Sequence, residues 1–578
     1  MLVLGLSCYY HDSAVALVSD DEIIFAIQEE RLSRVKHDAR FPTLSISRAL
    51  EAARIDINEI DKIVYYEDPV EKLGRLWDQV LDGWPHSRDL FFRELPRYVR
   101  YKLPIETQIR KHLAYRGRVE CSQHHRSHAA STFYTSPFER AVVLTIDGVG
   151  ERETAVVHLG EGNNLKKIRS IRFPDSLGLF YSIFTDYLGF EVNEGEYKVM
   201  GLAPYGRPTY VKQILGPVLR LSNDGSFSLN SSYIDFLGDD HHYARALAEH
   251  LDVPPRRSSD PMLQQHMDLA ASVQEVLELA LLNMVRPLID EFSTRDFCFA
   301  GGVALNCTAN ARLVRELGIR SHIHAAAGDS GGALGAALDS IVRASDERSI
   351  KRYNFSPYLG VMNPEAATKT ILKMHDVAYT ESQDVAGDIA NMLARGQVVA
   401  IVQGRDEWGP RALGARSILA DPRSPAMKDH VNAKIKFREE FRPFAPVVKE
   451  ERYGDYFETL NRDSSPYMLY THKVKRPSEI ASVVHVDGTS RVQTVSRTQN
   501  ARLYDIIDAF ERITGVPVLL NTSFNLRGEP MVSSASDALQ TFFSSGIDCL
   551  AINSLLIEKT PNEAAEPAAS GSRDVSTV

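Results

Sequence analysis

The sequence predicts an α/β protein whose first half is internally duplicated and whose second half is a further α/β unit. Three observations carry that reading. A strand–turn–strand–turn–strand run at the N-terminus recurs after residue 140. Glycine-rich turns close several buried strands. A polar stretch, Ala344-Ser345-Asp346-Glu347-Arg348, interrupts the pattern before a new run begins near Tyr358. The 578 residues allow more than one domain, and 44% hydrophobic against 25% charged residues is the balance of a chain that buries a core.

The first copy opens on Leu2-Val3-Leu4-Gly5-Leu6-Ser7, a buried strand. The polar turn at 9–13 leads to a second strand at 14–18 and, past Ser19-Asp20-Asp21, to a third at 23–27. Short apolar runs parted by polar turns make an antiparallel meander. A helix from about Pro42, with Ile46, Ala49 and Leu50 on one side, covers it. In the second copy a strand at 141–146 ends in Asp147-Gly148-Val149-Gly150. A strand at 154–159, a turn at 160–163 and a strand from 167 to 173 follow. A long apolar helix runs from about Met267 to Phe292. The short strand 297–300 then meets Gly301-Gly302-Val303 and a helix through Asn306, Ala309 and Leu313, an order that suits phosphate binding. Gly328-Asp329-Ser330-Gly331-Gly332 is a third such turn. Three glycine-rich strand ends, two with Asp, resemble the plan of actin-, hexokinase- and Hsp70-type ATPases. A ligand there lies between the copies, where backbone N–H groups approach phosphate oxygens.

After the polar stretch, a helix at 385–393 and a strand at 398–402 restart the α/β order. The run Gly404-Arg405-Asp406-Glu407-Trp408-Gly409-Pro410-Arg411-Ala412-Leu413-Gly414-Ala415-Arg416-Ser417 sets arginines among Gly and Pro. Lys434-Ile435-Lys436-Phe437-Arg438, Arg442, His485, Arg491 and the stretch from Asn521 to Arg527 and Pro530 continue it. Arginines in rigid turns are unlike a packing segment, and the planar guanidinium suits bidentate contact with phosphate or carboxylate. The second half is therefore expected to hold an anion pocket. The tail beyond Pro561, rich in Ala, Glu, Ser and Gly, is expected to be disordered.

Gln123-His124-His125-Arg126-Ser127-His128 places His124 and His128 at i and i+4, one turn apart on one face of a helix. With Asp147 and Asp329 in glycine-rich turns and no cysteine nearby, the donors suit a borderline metal such as Fe(II), Mn(II) or Zn(II). The 5 cysteines are scattered without a CxxC pair, which argues against a disulfide framework and a zinc ribbon. A net charge of −10 argues against general attraction to nucleic acid. The basic stretch 88–118 is interleaved with Leu, Phe, Tyr and Ile and reads as an amphipathic helical segment. No signal peptide precedes the first strand and no apolar run is long enough to span a bilayer, so a cytoplasmic protein without membrane contact is expected.

Over residues 1–560 the chain carries a series of long motifs in order. They are Tyr10-His11-Asp12-Ser13, Glu29-Glu30-Arg31 with Lys36-His37, His124-His125-Arg126-Ser127-His128 and Lys198-Val199-Met200-Gly201-Leu202-Ala203. Gly301-Gly302-Val303, Gly409-Pro410-Arg411-Ala412-Leu413-Gly414, Arg442-Pro443-Phe444-Ala445-Pro446 and Asn521-Thr522-Ser523-Phe524-Asn525 follow. Together they closely resemble the ATP-dependent O-carbamoyltransferases of natural-product biosynthesis, the NodU/CmcH type. The resemblance implies an actin-like (ASKHA) carbamoyl-transfer domain at 1–350, similar to the tRNA threonylcarbamoyl-transfer subunit. It implies a YrdC-like carbamoyl-adenylate-forming domain at 351–560, with 561–578 as the tail. It implies His124, His128 and Asp329 as metal ligands, Asp147 beside the metal or the nucleotide, and His11 as the base at the acceptor. Lys36, Gly148, Lys198, Gly301, Gly302 and Asn306, with Asp147 and Asp329, would contact the adenylate. Arg411, Arg442, His485, Arg491, Asn521 and Arg527 would bind carbamoyl phosphate and ATP.

The implied chemistry makes carbamoyl-AMP from carbamoyl phosphate and ATP with Mg2+, then transfers the carbamoyl group to a hydroxyl of a small natural product, such as an antibiotic, macrolide or aminoglycoside sugar. A neutral His11 would take the hydroxyl proton, and the metal would act as Lewis acid and template. Tyr9, Tyr10, Val149 and Glu151 carry no familiar acceptor signature, so the acceptor stays open. Metal identity and oligomeric state stay open too, a homodimer among the options. A tRNA threonylcarbamoyl-type transferase shares the domain plan but sits poorly with a net charge of −10. A non-catalytic ATP-binding regulator, or a sugar kinase using the actin-like half alone, leaves the second half's arginines without a role.

Overall fold

The computed structural model describes all residues except 237–240, 346–349, 437, 440, 461 and 560–578. The polar stretch expected as a linker lies mostly, and the expected tail wholly, outside the described residues.

Leu2–Ser7 (β1), Ala14–Ser19 (β2) and Ile23–Gln28 (β3) form the expected antiparallel meander. Lys62–Tyr65 (β4) and Arg118–Cys121 (β5) add in parallel beside β1, giving the order β3-β2-β1-β4-β5. The second copy uses Arg140–Ile146 (β6), Glu153–Glu161 (β7) and Asn164–Arg172 (β8). After a small ribbon, Leu219–Leu221 (β9) with Phe227–Leu229 (β10), come Asp296–Ala300 (β11) and Arg320–His322 (β12). The order β8-β7-β6-β11-β12 repeats the first sheet strand for strand, and that repeat is the actin-like plan. One turn is shorter than expected. β7 runs through Glu161, so the hairpin closes on Gly162 and Asn163 alone, with Gly162 at φ +55.

Thr43–Ala53 (α1) lays Ile46 and Ala49 on the first sheet. His124–Phe133 (α2) follows β5, Gln264–Phe292 (α3) is the long apolar helix, and Cys307–Leu317 (α4) follows β11. A single helix was expected through Asn306. Instead a 3₁₀ turn, Gly302–Leu305, precedes it, and Asn306 caps α4 by accepting from Ala309 N at 3.0 Å. Ser330–Ala344 (α5) follows β12. α2 and α5 are equivalents in the two copies, and each packs on the other copy's sheet. They cross so closely that a Cβ on Gly335 would lie 1.7 Å from Ser127 O.

The second half contains Tyr358–Met362 (β13), Thr380–Glu381 (β14), Val399–Val402 (β15), Arg405–Glu407 (β16), Arg416–Ala420 (β17) and Ala445–Lys449 (β18). Thr471–Lys473 (β19), Thr489–Arg491 (β20), Gln493–Val495 (β21), Val518–Ser523 (β22), Cys549–Ile552 (β23) and Leu555–Glu558 (β24) complete it. Eight of these form one mixed sheet, β14-β24-β23-β15-β17-β22-β18-β21, while β13 pairs with β16 and β19 with β20. Val385–Ala394 (α6) and Ala501–Thr514 (α7) pack together on it. This is the α/β class expected of a YrdC-like half after an actin-like one. The cores are not separate, however. Fully buried Trp408 packs with the residues of β1–β4, and Leu469 and Tyr470 join the core around β6. Among the described residues no helix is long and apolar enough to cross a membrane.

Candidate functional site: a histidine–aspartate cluster and an arginine pocket

α2 begins at His124, so His124 and His128 stand one turn apart, their rings 4.7 Å from each other. Asp147 follows the end of β6. Asp329 was expected at a strand end. It is instead the residue before α5. The duplication therefore brings the starts of two crossing helices and a strand-end turn to one place. His128 Nε2 lies 3.0 Å from Asp147 Oδ2 and 3.3 Å from Asp329 Oδ1. His124 Nε2 lies 3.3 Å from Asp147 Oδ2 and 3.9 Å from Asp329 Oδ1. All four donors fall within 4.8 Å of one another. His124, His128 and Asp329 are buried, and His128 Nε2 has no aligned hydrogen-bond partner. Two imidazoles and two carboxylates converging on one point, with a buried nitrogen orphaned, fit a divalent borderline metal. With protein groups alone, burial pushes the pKa of His128 down, but Asp147 and Asp329 outweigh it and hold it up at about 9. Burial likewise raises Asp147, yet His124 and His128 carry it well below the carboxylate range. His125 faces elsewhere, bonded to Thr145 Oγ1 at 2.8 Å and Glu153 O at 2.9 Å.

The turn after β1 is the equivalent of the Asp147 turn, and it delivers His11 to the same place. His11 Nε2 lies 3.7 Å from Asp329 Oδ2, and Nδ1 lies 3.1 Å from Asp12 Oδ2. Asp12 Oδ1 in turn meets His37 Nδ1 at 2.8 Å. The Tyr10 ring packs at a tilt of 42° against His11, centroids 4.2 Å apart. These neighbours do not favour the neutral His11 expected of a base. Burial lowers its pKa, but Asp329, Asp12 and Asp147 raise it to about 9. A cation held by Asp329 and Asp147 opposes that imidazolium charge.

The glycines border the cluster. Gly301 has φ +93, and a Cβ there would lie 2.2 Å from Ile146 O, so the turn reaches the end of β6 only as glycine. A Cβ on Gly302 would lie 3.1 Å from Asp147 Oδ1, and Gly148 N donates to the same oxygen at 2.8 Å. The expected lysines are already engaged. Lys36 pairs with Glu194, and Lys198 pairs with Glu439 at 3.2 Å. The Asn306 amide is committed to the α4 cap and to a reciprocal pair with Gln274, 3.0 Å each way.

The run 404–417 divides by role. Arg405 donates to the carbonyls of Gly360, Leu359 and Ile24, and fully buried Arg416 pairs with Asp406 and donates to Gln403 O and Val361 O. These two are packing residues, contrary to the reading of the whole run as an anion site. Arg411 has no hydrogen bond or ion pair among the described residues, and its Nε is buried. Arg491, at the end of β20, also has a buried Nε without a hydrogen-bond partner. Arg442 stacks over Tyr197 at 4.7 Å and lies 3.6 Å from Glu439 Oε2. Arg438 stacks over Phe444 at 4.4 Å. Burial and Arg491 push Arg411 down to about 9, and burial, Arg442 and Arg491 do the same to Arg438. A guanidinium stays charged, so these shifts report first that the groups are buried and second that like charge is packed beside them. Such a surplus is the electrostatic form of an anion site.

His485 Nε2 and Asn521 Oδ1 are buried without partners, and burial with Arg491 drives His485 down to about 4, Asp487 opposing. Asn521 Nδ2 donates to Ala412 O at 3.2 Å and so braces the loop carrying Arg411. Arg527 is exposed and makes no ion pair among the described residues, so the structure does not join it to the others. Sequence reasoning placed Arg438 in the basic runs of the expected pocket without assigning it a ligand, and it missed two first-half residues, Tyr197 and Cys307. Cys307 opens α4 as an electrostatic neighbour of Arg491, its Sγ 3.7 Å from Met200 Sδ. The place of Tyr197 directly before the Lys198 motif was a signal. Cys307 offered none.

Residues 2–338 match the family profile described as Carbamoyltransferase N-terminus, and residues 390–559 match Carbamoyltransferase C-terminus. The chain is 42% identical to an uncharacterized protein of Synechocystis sp., over 96% of this chain and 97% of that protein. It is 38% identical to nodulation protein NolNO of Sinorhizobium fredii, over 95% of this chain and 79% of the relative. Among solved structures, full-length HypF in its phosphate- and nucleotide-bound form overlays 60% of this chain and 47% of its own, at 10% identity and TM-score 0.35. Component A of (R)-2-hydroxyglutaryl-CoA dehydratase from Acidaminococcus fermentans overlays 60% of this chain and 100% of its own, at 15% identity and TM-score 0.33.

Proposed function

The chain belongs to the carbamoyltransferase family, and from that premise we propose that it makes carbamoyl-AMP from carbamoyl phosphate and ATP and passes the carbamoyl group to a hydroxyl of a natural-product acceptor. The observation that supports this most is the arginine surplus of Arg411, Arg438, Arg442 and Arg491, met by Glu439. Residues 351–560 are assigned to adenylate formation and residues 1–350 to transfer, with Tyr197 and Cys307 reaching across. In the first step water splits carbamoyl phosphate into carbamate and phosphate. A carbamate oxygen then attacks the α-phosphorus of ATP, which binds with Mg2+, and pyrophosphate leaves. The arginine forks orient the anions in bidentate fashion.

In the second step the acceptor oxygen attacks the carbamoyl carbon and AMP leaves. His124, His128, Asp147 and Asp329 would hold one divalent metal, Fe(II) first among the candidates. Bound there, it supplies Lewis acidity toward the adenylate phosphate and a template for the reactants. Gly148 and Gly302 leave backbone room for phosphate oxygens, and Gly301 lets their turn close on the end of β6. Asp12 binds Nδ1 of His11, which leaves Nε2 to take the hydroxyl proton.

The test follows products. ATP and carbamoyl phosphate together should yield pyrophosphate, with the activated carbamoyl group trapped by hydroxylamine as hydroxyurea. His11→Ala should keep both of these and lose transfer to hydroxyl acceptors. Release of ADP with a phosphorylated sugar would make the chain a kinase and overturn the reading.

A further inference from the structure

The loop that carries Arg411 is held from two sides. On its far side the second half's own frame takes the carbonyls. Asn521 Nδ2 binds Ala412 O at 3.2 Å, Gln493 Nε2 and the Tyr358 hydroxyl bind Leu413 O at 2.9 and 2.7 Å, and Gln403 Nε2 binds Gly414 O at 2.6 Å. The buried Glu407 carboxylate accepts from the N–H groups of Leu413, Ala415 and Arg416 at 2.9, 2.7 and 3.0 Å. The near side depends on the first half. Gly409 O, two residues before Arg411, accepts from Arg31 Nη2 at 2.7 Å. Gly409 has φ +116, and a Cβ there would lie 2.5 Å from Ala325 O, so the turn is wedged against the segment leading to Asp329. Trp408, the preceding residue, sits in the core of the first sheet.

Arg31 is 2% exposed, and its charge is met by Glu30 and, more remotely, by the buried Asp406 carboxylate. Glu30 Oε1 stands 3.7 Å from Nε, Nε itself has no hydrogen-bond partner, and Gln28 Oε1 lies 3.4 Å from Nη2. Burying a guanidinium costs desolvation that its partners must offset, and an apolar side chain of similar volume would avoid that cost. Its one short bond goes to Gly409. Arg411, meanwhile, must stay among Arg491 and Arg442 before any anion arrives, and like charge drives it outward. An anion site of that kind works only if its carriers are stiffly held.

We infer that Arg31 is a positioning residue of the arginine pocket: it fixes the Gly409 turn from the first half and so sets where the Arg411 guanidinium meets its anion. The inference rests on the proposed function only for the identity of that anion, carbamoyl phosphate. It also means that the pocket is complete only when the two halves are docked.

Pyrophosphate release at varied carbamoyl phosphate is compared for wild type, Arg31→Lys, Arg31→Met and Gly409→Ala, with metal content and Tm measured for each. In both Arg31 variants the KM for carbamoyl phosphate should rise on the order of tenfold or more, with a smaller change for ATP and unchanged metal content. Arg31→Met should show the defect even where its Tm equals or exceeds that of wild type, because it removes a buried charge. Gly409→Ala should shift the same KM in the same direction. A wild-type KM for carbamoyl phosphate in the folded Arg31 variants overturns the inference, whatever happens to Tm. If wild type itself releases no pyrophosphate, the proposed function fails instead. Calorimetric binding of inorganic phosphate to the same proteins then decides: about tenfold weaker binding in the Arg31 variants upholds the positioning role, and equal binding overturns it.

Discussion

His128 holds a proton for the same reason it can hold a metal. Two carboxylates face a buried ring, and either cation satisfies them. Its folded pKa, about 9, stands above the ordinary 6.5, so the pairing stabilises the metal-free fold fully below pH 6.5 and is lost as pH rises through 9. Metal binding needs the neutral ring and must displace that proton. Metal-free protein should therefore release protons on taking up Zn(II) at pH 7, with apparent affinity climbing toward pH 9. Titration in two buffers of different ionisation heat counts those protons, and no release at pH 7 would mean that His128 is already neutral. This cluster was legible in the sequence because helical spacing and glycine-flanked aspartates are local signals. Arg416 was not. An arginine among glycines reads alike whether it awaits an anion or is already matched, as here, by a buried Asp406.

At the scale of elements, the strands of the two meanders followed from period and glycine placement, but β4, β5 and β12 and the pairing of helices did not. No local pattern says that α5 leaves one sheet and packs on the other, or that Asp329 begins a helix. The crossing of α2 and α5 lies behind the cluster, since both helices start there. Gly335 sets how close they come, its Cβ position being 1.7 Å from Ser127 O. Gly335→Ala should force the helices apart at a cost of about 1–3 kcal/mol, typical of overpacking. Because His128 rides on one helix and Asp329 on the start of the other, metal content should fall together with Tm. A lower Tm with full metal content would separate the crossing from the site.

At the scale of the whole molecule, the duplicated plan was legible because a repeat is visible whatever its contacts. The polar stretch before Tyr358 suggested two cores parted by a linker, and there the reading stopped short. Apolar residues are naturally assigned to the strands nearest in the chain, whereas Trp408 fills the core of the first sheet and Leu469 and Tyr470 fill that of the second. Arg31 and Arg34 reach the other way, donating to Gly409 O and Met531 O at 2.7 and 2.6 Å. Interleaved cores should unfold together. Trp408→Ala empties a large volume in the first half from a residue that belongs to the second, at an expected cost of about 3–5 kcal/mol. If the halves are one cooperative unit, scanning calorimetry will show a single transition in wild type and a single transition, moved down, in the variant. If they are independent, wild type will already show two, and the substitution will lower only the one that contains β1–β4.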